Sequence, residues 1–60
     1  MAENFNVGDR VVATEALGQG VNRGTAGVVT HVSVFHGLLG VRFANHATIP
    51  NVKLSQVVHA

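Results

Sequence analysis

Apolar residues alternate along the first part of the chain. Phe5, Val7, Val11 and Ala13 share one parity, while Arg10, Val12 and Thr14 fall on the other. A period of two places alternate side chains on opposite faces of a strand. A first strand is predicted over residues 10–14, entered through a turn at Val7, Gly8 and Asp9. The pattern lapses over residues 15–23, where Gly18 and Gly20 predict a long surface loop. It resumes over 25–35 as a second strand and over 38–43 as a third. His36 and Gly37 between them suit a two-residue hairpin, since both accept positive φ better than most residues. That turn places Phe35 opposite Leu38, Val34 opposite Leu39, Val32 opposite Val41 and Thr30 opposite Phe43. Val28, Val32, Val34, Leu39, Val41 and Phe43 then share one face, and a slip of one residue scatters them. The other face carries His31 beside Arg42, Ser33 beside Gly40 and Phe35 beside Leu38. Val29 also falls there, and a bulge near Gly27 is the device expected to turn it inward.

Residues 44–47 read as a turn and 48–53 as a fourth strand. Pro50 has no N–H to give to a ladder, so it marks an edge or an interruption. Residues 54–57 suit one 3₁₀ turn before a terminal strand at Val58 and His59. No stretch keeps a 3.6-residue apolar period, so no long helix is predicted. Five short strands around one core predict an all-β fold, a small barrel or orthogonal sandwich. Sixty residues form one domain, with its ordered core expected over about 7–58.

Composition sharpens this picture. Apolar residues make up 47% of the chain and charged residues 12%, a balance opposite to that of disordered chains. Twelve valines favour strands. A domain this small buries only about 60% of its unfolded surface, so some apolar groups remain outside and favour a partner or self-association. There is no cysteine, which excludes disulfides and fits a reducing compartment. The basic residues are only Arg10, Arg23, Arg42 and Lys53, for a net charge of +1. That is thin for a nucleic-acid module, whose basic residues cluster. No apolar run approaches the ~20 residues that span a bilayer. Met1, Ala2, Glu3 and Asn4 carry no leader pattern, so the expectation is a cytoplasmic protein away from membranes.

Two segments carry a family resemblance: Val7-Gly8-Asp9-Arg10-Val11-Val12, and Gly24-Thr25-Ala26-Gly27-Val28-Val29 about fifteen residues later. Together they resemble the opening of KOW-type and related SH3-like barrels. Val41-Arg42-Phe43 and the run from Asn51 to Val57 resemble the closing half. The resemblance covers about Val7 to Val58 and extends to short bacterial barrel families of unknown function. It implies a five-stranded SH3-like barrel with a long glycine-containing loop after the first strand. Members serve in ribosomal proteins, transcription factors, electron-transfer subunits, enzyme subunits and peptide-binding adaptors, so function must come from a site. The chain lacks the lysine and arginine clusters of the nucleic-acid-binding members. It also lacks the tryptophan and tyrosine of proline-binding grooves.

Candidate chemistry is sparse. His31, His36, His46 and His59 are spread along the chain with no cysteine and few carboxylates, so they read as surface or turn histidines and no metal site is expected. Ser33 and Ser55 lie in no nucleophile motif, so no enzyme and no cofactor is expected. Gly18, Gly20, Gly24 and Gly27 match no phosphate-binding spacing. Gly8, Gly24, Gly27 and Gly37 read as turn glycines. The predicted outward strip of His31, Phe35, His36, Leu38 and Arg42 is the leading binding surface. An aromatic beside an arginine and histidines suits base stacking. Phe35 and Leu38 equally suit anchoring a protein, with Arg42 at the rim. The plainer reading is a cross-strand pair that covers the hairpin. Leu17 and Val21 in the long loop are secondary binding candidates, with plugging the barrel end as their alternative. The expected role is thus a binding module for a protein partner or a second copy. A KOW-type nucleic-acid role and an accessory subunit of an enzyme complex are the alternatives.

Overall fold

The computed structural model describes residues 4–60. Its elements are β1 (Arg10–Ala13), β2 (Ala26–Ser33), β3 (Leu38–Phe43), β4 (Thr48–Lys53), a 3₁₀ turn (Leu54–Gln56) and β5 (Val57–His59). All five strands form one antiparallel sheet in the order β4-β3-β2-β1-β5. The expected all-β architecture is present, with each strand close to its predicted bounds. The sheet is not closed: β4 and β5 are its two edges.

One apolar face is packed. Val11 and Ala13 come from β1, Val29 from β2, Leu39, Val41 and Phe43 from β3, Ile49 and Val52 from β4, and Val57 from β5. Phe5 and Val21, from outside the strands, complete it. The strictly alternating strand is β3, with Leu39, Val41 and Phe43 inward. In β2 the inward residues Val29 and Val32 are three apart, and so are Ile49 and Val52 in β4.

A bulge in each flanking strand explains this spacing. On β2, Val29 pairs with Val41 but His31 pairs with Gly40, leaving Thr30 extra. On β4, Val52 pairs with Leu39 and Ile49 with Val41, leaving Pro50 and Asn51 opposite Gly40 alone. An extra residue bends a strand and increases its twist. Both extra segments face Gly40, the one β3 position with no side chain. A Cβ there would lie 3.1 Å from the His31 Cβ and 3.2 Å from the Thr30 Oγ1. Pro50 thus sits at both an edge and an interruption of the ladder.

The predicted hairpin register is corrected by a longer connection, and the bulge then shifts it once more. Ser33, not Phe35, pairs with Leu38, so the connection spans the four residues 34–37. Val32 pairs with Leu39, and Val28 with Arg42. Val28 and Val34, assigned inward by alternation, are exposed. Val29 is buried, through a bulge three residues beyond the one expected near Gly27. Gly27 is no turn glycine: it lies inside β2 under the core. A Cβ on it would come within 2.8 Å of the Val41 Cγ1, 2.9 Å of the Phe43 Cδ1 and 3.0 Å of the Arg42 carbonyl oxygen.

The long loop folds back as a plug. The Leu17 N–H donates to the Val21 carbonyl and the Val21 N–H to the Gly18 carbonyl, both at 2.9 Å, and this tight turn delivers Val21 to the core. The Asn45 Nδ2 donates to the Gln19 carbonyl at 3.1 Å, pinning the loop to the turn after β3.

Gly27→Ala adds a methyl where backbone and two core side chains leave no room. Overpacking of this kind costs about 1–3 kcal/mol. Denaturant unfolding should show a lower midpoint with an unchanged slope.

Candidate functional site

The structure distributes the predicted strip over two places. His31 and Arg42 are both exposed on the outer face, but His31 lies opposite Gly40 and Arg42 opposite Val28. Phe35 and His36 belong to the hairpin tip. Leu38 is half-buried at the tip's base. Leu17 is half-buried and packs partly against the core, while Val21 is inside it and is not presented at the surface.

The hairpin tip carries the two most exposed large apolar side chains among the described residues. Phe35 is 95% exposed and Val34 is 86% exposed. Gly37, at φ 66°, closes the loop with its N–H 3.3 Å from the Val34 carbonyl. His36 is braced on two sides: its Nδ1 lies 3.0 Å from the Ser33 Oγ, and its ring meets Phe35 edge-on at 5.4 Å. Beside the tip runs a groove of about 210 Å³, with Phe5, Val32, Leu38, Leu39 and Leu54 among its walls. Val34 and Gly37, the residues flanking Phe35 and His36, form part of its rim. No wall residue carries a charge.

The Ser33–His36 pair resembles part of a nucleophile–base couple, but a third group must orient the base. The described carboxylates are elsewhere: Glu15 lies in the long loop and Asp9 is held by His59. The other contact of His36 is the edge-on Phe35 ring.

A second surface lies on the outer face, where Arg10 pairs with Val28 and Val28 with Arg42. This row Arg10, Val28, Arg42 crosses three adjacent strands. It lines an open groove of about 610 Å³ whose small floor residues include Ala26 and Ala44, with His46 at one end. Among the described residues, neither arginine has a carboxylate within ion-pair distance. The sequence pattern missed this row because strict alternation assigned Val28 to the inner face, and the bulge turns it outward.

A third unit was silent in the sequence because its members are 50 residues apart. The His59 Nε2 donates to the Asp9 Oδ2 at 3.1 Å. The His59 ring stacks on the buried Phe5, with centroids 4.4 Å apart. The Asn6 N–H donates to the same Asp9 oxygen at 2.9 Å. This backbone hydrogen bond, and then His59, hold the Asp9 carboxyl below its ordinary 3.8. The unit joins the chain's first described residues to its last strand, and it engages the carboxylate nearest Arg10 in sequence.

Set against known protein families, curated proteins and solved structures, the chain matches none of them at a significant level. Its surfaces alone carry the functional reading.

A carboxylate with a lowered pKa contributes stability above its ordinary value, and loses it as pH falls through the folded value. Acid unfolding of the native chain should therefore deepen below pH 3.8. Asp9→Asn should flatten that part of the curve while leaving the core intact. Thermal melts at stepped pH, with an NMR titration of the Asp9 carboxyl carbon, check both.

Proposed function

We propose that this chain is a non-catalytic binding module that meets another protein through its hairpin tip. The observation that carries the reading is the near-complete exposure of Phe35 beside Val34. Aromatic residues are enriched among the anchors that dominate protein interfaces. Here the neighbouring His36 is braced, so less freedom is lost on contact. The reading takes the fold as an SH3-like barrel. A four-strand meander, a 3₁₀ turn and a fifth strand returning to β1 support that assignment. It sets the protein in the cytoplasm, in keeping with a chain free of cysteine.

A second reading rests on a separate observation, the Arg10, Val28, Arg42 row. Two arginines with no carboxylate partner among the described residues, over an apolar floor, suit the backbone and bases of a nucleic acid. This is the KOW-type role.

Replacing Phe35 should leave the fold intact, because truncation of an exposed side chain changes stability by only about 0.5 kcal/mol. In quantitative affinity capture, Phe35→Ala bait should lose the proteins held by native bait. Loss of an anchor worth about 2 kcal/mol weakens binding roughly 30-fold. Identical capture by both baits sinks the tip reading. For the outer face, oligonucleotide affinity should fall with salt, and Arg10→Ala or Arg42→Ala should each lower the salt slope by about 1. No binding at low salt removes the nucleic-acid reading.

A further inference from the structure

We propose that the groove on the outer face is a site for a phosphate monoester, with the Arg10 and Arg42 guanidiniums on its phosphate and its organic part laid on Val28, Ala26 and Ala44. This goes beyond both readings above. It shares the arginine row with the nucleic-acid reading, but its occupant is a small dianion in place of a chain of diesters.

The placement of the two cations comes first. Arg10 pairs with Val28 from one side and Arg42 pairs with it from the other. Directly opposed residues of an antiparallel pair have Cα atoms about 4.5–5.5 Å apart, so the two arginines stand about 9–11 Å apart across Val28. Half of that span is shorter than an extended arginine side chain. Both arginines line the one groove, so both guanidiniums can meet on a single group held above Val28.

Charge selects that group. Arg10 and Arg42 are exposed, and among the described residues neither makes an ion pair. No Asp or Glu lines the groove. Asp9, next to Arg10 in sequence, already accepts from the Asn6 N–H and the His59 ring. The groove thus presents two positive charges with no counter-charge from a side chain. A phosphate monoester carries about −1.5 to −2 at neutral pH and has three acceptor oxygens. Arginine forks bind such oxygens in pairs, and two forks can approach from opposite sides. A carboxylate or a phosphodiester brings one negative charge and leaves one arginine unmatched.

The floor supplies the seat for an organic part. A second row runs beside the arginines: Val12 pairs with Ala26 on one side and with Val58 on the other. The Ala44 N–H donates to the Ala26 carbonyl at 2.8 Å and extends that row to the end of β3. The small side chains at 26 and 44 leave a depression beside Val28. The groove holds about 610 Å³. Small-molecule sites span roughly 300–1,000 Å³ and combine apolar walls with a few polar groups that fix orientation. Because this groove is open, much of a ligand stays in water, and the expected dissociation constant is about 1–10 mM.

Phenyl phosphate is the probe, followed through amide shifts of the labelled chain up to about 50 mM. Saturable shifts are expected at Ala26, Val28, Arg42 and Ala44. Inorganic phosphate has the charge without the ring and should bind at the same amides several-fold more weakly. Methyl phenyl phosphate, a diester with one charge, should bind about tenfold more weakly. Arg10→Gln and Arg42→Gln each replace an exposed side chain and should keep the native amide spectrum. Each should weaken phenyl phosphate about tenfold. Absence of saturation, or undiminished binding in both variants, overturns the inference. So does inorganic phosphate or the diester binding as tightly as phenyl phosphate. An oligonucleotide without terminal phosphates that binds through Arg10 and Arg42, where phenyl phosphate does not saturate, overturns the monoester site alone and leaves the nucleic-acid reading standing. Saturation by phenyl phosphate with no binding of that oligonucleotide upholds the site and removes the nucleic-acid reading.

Discussion

Gly40 is the position on which the sheet turns. On either side of it a neighbouring strand carries more residues than β3 can match, Thr30 on β2 and the Pro50–Asn51 pair on β4. The surplus lies where β3 has no side chain. Extra backbone concentrated at one level bends the strands that carry it, and an unsubstituted central strand leaves space for the bend. The bend changes which residues face inward. Val29 with Val32, and Ile49 with Val52, reach one side only because a bulge lies between the members of each pair. Without it, one valine or isoleucine of each pair would face water.

The rest of the domain closes the ends of that bent sheet. Val21 enters from the loop after β1, and Phe5 enters from the segment before it. Both join a core otherwise made of strand residues. At the Phe5 end, the His59 ring covers the phenylalanine while its Nε2 bonds Asp9. One side chain of β5 thereby fastens the approach to β1. A domain of this size has little interior. Contacts between the chain's ends and its central strands therefore count for much of its cohesion.

The strands were legible in the sequence because valine enrichment, alternation and glycine or proline punctuation agree. β3 and β4 stand where the pattern puts them, and the 3₁₀ turn needs only the Leu54-Ser55-Gln56 run and its position after β4. What alternation cannot show is a change of phase inside a strand. Val28-Val29 offers two apolar neighbours, and either can be inward; the answer lies in pairing with β3, not in β2. The connection is also two residues longer than the pattern suggests, and that length together with the bulge separates Arg42 from His31. The candidate site was half legible. Phe35 stood out as an aromatic next to a turn, but its exposure follows from the longer loop. The Arg10, Val28, Arg42 row follows from the register, and the Asp9–His59 contact from the topology.

The free edges of the sheet have a consequence for how this valine-rich chain stays apart from unintended neighbours. An open edge is a template for another strand, and proline, lysine and bulges are the usual means of blunting it. β4 has all three within Thr48–Lys53: Pro50 lacks the amide hydrogen, the Pro50–Asn51 bulge throws the ladder out of step, and Lys53 ends the strand. β5 is only three residues long. Growth by strand addition, the route to fibrils, is thus obstructed at both borders. Contacts with other molecules then have to be made by side chains, which can be selective, rather than by bare backbone, which cannot.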